Sequence, residues 1–110
     1  MSLQKIDRRE WPRVLERFSR EHQAWPATVW EVRGDVEATR AEARPLRAIA
    51  LEERGALAIH FADDAPDVRI DSPRIVRIDA EEGLARGVDI EAPDGVTRLR
   101  FQSATRRALE

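Results

Sequence analysis

The chain has no cysteine, no tyrosine and no asparagine, one lysine and five glycines in its 110 residues. Without cysteine there are no disulfides, no iron–sulfur clusters, no thiolate zinc sites and no cysteine nucleophile. Long hydrophobic runs are missing too, and nothing approaches the roughly 20 apolar residues that a membrane-spanning helix needs. The first ten residues are of mixed charge and lack the apolar block of a secretory signal. An excess of one charge is also absent: 19 basic against 21 acidic side chains leave a net charge of −2. That balance argues against a dedicated nucleic-acid binder. A soluble, cytoplasmic protein is the expectation.

What is present is 42% apolar and 36% charged sequence, enough for one domain with its own core. No repeats, linkers or low-complexity blocks divide it, so residues 1–102 are expected to form that domain and 103–110 a polar tail. Arginine outnumbers lysine eighteen to one. With lysine, asparagine and tyrosine all scarce, this reads as the codon bias of a GC-rich, bacterial genome. A single arginine therefore says little about phosphate or carboxylate recognition.

Trp11, Val14, Leu15, Phe18, His22 and Trp25 follow helical spacing and place one apolar stripe along a helix. Arg13, Glu16, Arg17, Arg20 and Glu21 cover its other side. Asp7 and Glu10 have capping-box spacing, with Ile6 and Trp11 placed as a hydrophobic staple. The expected course is a tight turn at 7–10, then a helix to about Gln23, with Pro12 tolerated in its first turn and Pro26 preventing continuation.

After Pro26 the pattern is that of antiparallel strands. Thr28, Trp30 and Val32 alternate with Val29, Glu31 and Arg33 up to a Gly34-Asp35 turn. Residues 36–44 favour helix by propensity but lie between turn signals, and are read as a strand that Pro45 ends. Residues 46–53 and 56–62 form a hairpin about Arg54-Gly55. A short strand at 68–70 and another at 75–79 follow. Leu84–Ala92 and 96–102 pair about Pro93-Asp94-Gly95. The fold class is α+β: an amphipathic N-terminal helix on a mainly antiparallel sheet of about five to seven strands, open or curved into a partly open small barrel.

Ile6-Asp7-Arg8-Arg9-Glu10-Trp11 leads into Phe18-Ser19-Arg20, followed by Leu46-Arg47-Ala48-Ile49-Ala50, Ile70-Asp71-Ser72-Pro73-Arg74 and Asp94-Gly95. In these short segments, over residues 3–102, the chain resembles the bacterial family known as domain of unknown function 5335. The resemblance implies a compact α+β domain and brings no activity, because the family has none. Members often carry histidines just before the proline matching Pro73. Asp71 and Ser72 stand there instead, so a role for those histidines does not transfer.

For chemistry the sequence offers little. His22 sits on the helix stripe and reads as a boundary residue with a wetted edge. His60 alternates with Ile59 and Phe61 and faces away from them. Neither has a metal-ligand spacing, and an enzyme would need His22 or His60 in a deep pocket beside a carboxylate. The serines lie in no nucleophile elbow, and no glycine-rich phosphate loop occurs. Three carboxylates at 63–67 lack the calcium-loop pattern and read as a solvated loop. No cofactor and no metal are expected. The partner-binding candidates are Trp25, beside Pro26 at the helix end, and an arginine face: Arg98 and Arg100, with Arg74 and Arg77 on a neighbouring strand. These arginines suit an acidic protein surface, or pair with Asp89, Glu91 and Glu37 across strands. Reversing Arg98 and Arg100 is expected to leave folding nearly intact if partner binding is their role, and to destabilise the fold if strand pairing is. The resulting expectation is a non-enzymatic protein-interaction or self-associating module, with an RNA-binding small barrel as the alternative.

Overall fold

The computed structural model describes residues 2–82 and 84–101; Gln102, the tail at 103–110 and Gly83 lie outside them. Asp7 opens the helical region by accepting from Arg9 N–H at 2.9 Å. A 3-10 turn over Arg8–Glu10 leads directly into α1, Trp11–Glu21. Glu10 does not complete a capping box: its carboxylate turns to Arg13 at 2.8 Å. Pro12 lies in the first turn, where no carbonyl waits for its missing N–H. The helix ends two residues short of Gln23. His22 N–H bonds back to Ser19 O, and Ala24 then takes a left-handed conformation, φ 65°. Trp11, Leu15 and Phe18 are buried, and Trp11 Nε1 donates to Ile6 O at 3.1 Å.

Among the described residues eight strands form one antiparallel sheet: β1 (Ser2–Ile6), β2 (Pro26–Arg33), β3 (Val36–Leu51), β4 (Leu57–Phe61), β5 (Val68–Ile70), β6 (Ile75–Glu81), β7 (Leu84–Ala92) and β8 (Gly95–Phe101). Their order is β1-β6-β7-β8-β2-β3-β4-β5, with β1 and β5 at the edges, so the sheet is open and not a barrel. β1 was not foreseen. Its mixed residues carry a weak pattern of their own, and pairing with β6 supplies what propensity does not.

The two strands expected at 36–44 and 46–53 are one, β3. Pro45 does not end it, because the strand changes partners there: Val36 to Pro45 lie against β2, and Leu46 to Leu51 against β4. Proline lacks a donor but keeps its acceptor, and Pro45 O takes Ala62 N–H at 2.8 Å. Along the second half of β3, α1 and its exit stand where another strand would pair. Ser19 Oγ accepts from Ile49 N–H at 2.9 Å, Gln23 Nε2 donates to Arg47 O at 2.6 Å, and Leu46 bonds both ways with Ala24 and Trp25.

The connections force the sheet to bend. In a flat sheet β5 and β6 would lie six strand spacings apart, about 29 Å. The four residues 71–74 that join them span no more than about 18 Å. The sheet therefore curls, and its concave side holds the core: Trp11, Leu15 and Phe18 of α1 against Val29, Leu46, Ile49, Ile59, Val76, Val88, Ile90 and Leu99 among others. No helix among the described residues is long and apolar enough to cross a membrane.

Candidate functional site

Because α1 lies closer to β3, the other flank of the helix is left as a groove of about 870 Å³ over β1, β6 and β7. Its floor is aromatic. Phe18 and Phe101 face each other at 5.6 Å, and His22 stacks on Phe101 at 4.6 Å and 11°. Trp25 meets the edge of the cluster, 4.7 Å from His22 and 5.5 Å from Phe101. Ala80 and Ala85, opposite each other on β6 and β7, line the groove, and neither carries more than a methyl to fill it. The rim holds Arg13, Arg17 and Arg86 against Glu21, Glu81 and Glu82, a balanced charge. Two large apolar side chains stay in water at its lips: Trp25 is 44% and Leu84 70% exposed. A smaller groove on the opposite flank of α1, about 430 Å³, runs past the Ser19 and Gln23 bonds to β3 that tie the helix down.

The backbone at the Trp25 lip is held under strain. Ala24 at φ 65° costs about 1–2 kcal/mol relative to a right-handed residue, and its N–H is fixed on Leu46 O at 2.8 Å. Ala24→Gly is therefore expected to raise stability by about 0.5–1 kcal/mol, after the larger entropy loss of glycine is deducted. Thermal melting reads this directly, and an unchanged or lower Tm refutes it.

The arginine face forms on the other, convex side of the sheet. Arg77, Arg98 and Arg100 come together there with Asp79, Asp89 and Glu91, three cations with three carboxylates. Arg77 pairs with Glu91, and Arg98 Nε stands 3.8 Å from Asp89 Oδ2. Arg100 crosses β7 to reach Asp79 on β6, Nε to Oδ2 at 3.2 Å, and it passes over Gly87, where a Cβ would lie 2.7 Å from its Cδ. Its Nη1 is also 2.8 Å from Asp89 Oδ1. That contact is ionic: the two N–H groups of Nη1 go to Leu99 O at 2.8 Å and Val88 O at 3.5 Å, and among the described residues Asp89 Oδ1 has no donor. Arg74 lies in the 71–74 connection, exposed, its backbone N–H on Glu91 O at 2.7 Å. Trp25, on the concave side, is not brought to this face.

The two histidines divide the features an enzyme would have to combine. His60 has carboxylates, Asp67 at 3.0 Å and Glu52 at 3.8 Å, but lines neither groove. His22 lines the large groove and is 5% exposed rather than wetted, yet its nitrogens face backbone carbonyls. In the acidic loop, Ala65 N–H and the adjacent Arg44 guanidinium hold the Asp63 carboxyl below its usual value, while Asp67 belongs to His60. Among the described residues no group of three His, Asp or Glu is placed to hold a metal ion.

Sequence reasoning placed Trp25, Phe18 and His22 but not the far wall. Leu84, an apolar residue opening a strand directly after a turn, was the available signal; Ile6 was legible only as a hydrophobic staple and Gln4 not at all, since both belong to the unforeseen β1. No known protein family, no curated protein and no solved structure matches the chain.

Proposed function

We propose that this is a non-catalytic protein-interaction domain that takes an apolar segment of a partner polypeptide into the groove between α1 and β7. The observation that carries this reading is the pair of exposed apolar side chains, Trp25 and Leu84, that line one groove with an aromatic floor. Leaving such surface in water is unfavourable by about 25 cal/mol per Å², and a contiguous apolar patch rimmed by polar groups is characteristic of interaction sites. The rim favours polypeptide over nucleic acid. Affinity for a phosphate backbone comes from several uncompensated cations, whereas here each rim arginine is matched by a glutamate. The resemblance to domain of unknown function 5335 brings no activity, so the groove alone supports the reading.

Anilinonaphthalene sulfonate, a dye whose fluorescence rises in apolar sites, is the probe. The native protein is expected to bind it at one site. Trp25→Ala with Leu84→Ser should weaken binding about tenfold, the loss of about 1.4 kcal/mol, and Ala85→Leu should block it by filling the floor. A synthetic peptide alternating leucine and serine should displace the dye, and polyuridylate at about 150 mM salt should not. Dye binding that survives both sets of substitutions overturns the proposal, and displacement by polyuridylate alone favours an RNA-binding module.

A further inference from the structure

Two carbonyl oxygens converge on one buried imidazole. His22 Nδ1 lies 2.7 Å from Phe18 O and Nε2 lies 3.1 Å from Ala85 O. Each carbonyl reaches the ring for a separate reason. At the end of α1 the His22 backbone N–H bonds Ser19 O, so Phe18 O, at the negative end of the helix, is left for the side chain. On β7 the register against β6 shifts between Asp79 and Ala80: Gly87 pairs with Asp79 and Ala85 with Ala80, and Arg86 is the extra residue. Beside this bulge, Ala85 O faces the His22 ring.

Both partners only accept. A neutral imidazole has one N–H and one lone pair, so it satisfies one carbonyl and sets its lone pair against the other; the imidazolium donates to both. We propose that His22 acts as a protonated clasp between the end of α1 and the start of β7, and that loss of its proton releases that end of the groove. The Phe18 and Phe101 rings lie at 4.4 and 4.6 Å, within the range where aromatic rings attract positive charge. The charged groups along the same groove are Arg13, Arg17 and Glu21 from α1, Glu81 from β6, Glu82 from the turn after it, and Arg86 from β7. Arg13 is paired with Glu10, Arg17 with Glu21 and Arg86 with Glu81, so the net field of the set does not oppose the cation. The clasp stands whether or not the groove has a ligand.

The sign follows from the donor count: the second bond is present at low pH and is lost as pH rises. The chain has two histidines, so His60→Gln leaves His22 as the sole imidazole and removes the other titration. In that variant, ring nitrogen NMR is expected to show two protonated nitrogens at the acid end of the pH series and one at the alkaline end. The Ala85 and Phe101 amide signals should move on the same curve, and Tm should fall by about 5 °C over that range. With His22→Gln added, Tm should be flat. A ring with a single proton throughout overturns the clasp, as does a Tm profile in His60→Gln that parallels the double variant. Should the double variant not fold, the ring titration in His60→Gln decides alone.

Discussion

Arg100→Met is expected to destabilise the domain by about 3–5 kcal/mol, the cost of leaving buried charge without its partner. Asp79 and Asp89 are each only 5% exposed, and Arg100 is the cation that touches both. Among the described residues the Oδ1 of each already lacks a hydrogen bond, and none of them offers a further donor to it. Arg100→Lys does not rescue, because one ammonium does not reproduce the planar fork that faces two carboxylates at once. Asp79→Asn and Asp89→Asn combined with Arg100→Met should recover most of the loss, since the buried charges leave together. Charge reversal of Arg98 and Arg100, tolerable on strand alternation alone if partner binding is their role, is expected on this geometry to unfold the chain. Gly87→Ala belongs to the same device: its Cβ would sit 2.4 Å from Leu99 O as well as against the Arg100 side chain, and the backbone oxygen has nowhere to go. Urea denaturation of these variants measures the effect. A loss below about 1 kcal/mol for Arg100→Met places the arginine outside the stabilising network.

Phe18→Ala should cost a similar amount, about 3–5 kcal/mol. The side chain is 3% exposed and lies between the core and the groove floor, touching the His22 and Phe101 rings. Its removal opens a cavity that the curved sheet does not close, because the backbone around it is pinned by the Ser19 and Gln23 bonds to β3. Against a typical domain stability of about 5–15 kcal/mol, the variant should show a large drop in Tm and an altered groove. Full native stability would mean that the helix stripe does not face the core.

How far the sequence was legible differs from element to element. The helix stripe was plain because Trp11, Leu15 and Phe18 recur at the helical period, and the Pro93-Asp94-Gly95 hairpin because its turn residues act within four positions. β1 was not, since Ser2–Ile6 has neither period nor composition and exists through its pairing with β6. Pro45 misled for a related reason: a proline interrupts a ladder only on the side where a donor is needed, and which side that is depends on the partner strand. Of the site, Trp25 and His22 were visible as residues, while the groove was not. Its walls come from β1 and α1 on one side and β6, β7 and β8 on the other, about fifty residues further along the chain.

Local chemistry in the sequence thus determined the helix, the positions of most turns, the alternation of Leu99 and Phe101 with Arg98 and Arg100, and the absence of disulfide or thiolate chemistry. Only the tertiary structure decided that the sheet stays open, that Arg100 spans Gly87 to two buried aspartates, and that two backbone carbonyls meet at His22. The physical reason is the range of the forces involved. Periodicity and turn preference act over a few residues and are written in order along the chain, whereas strand order, curvature and the convergence of polar groups depend on which distant segments share a ladder.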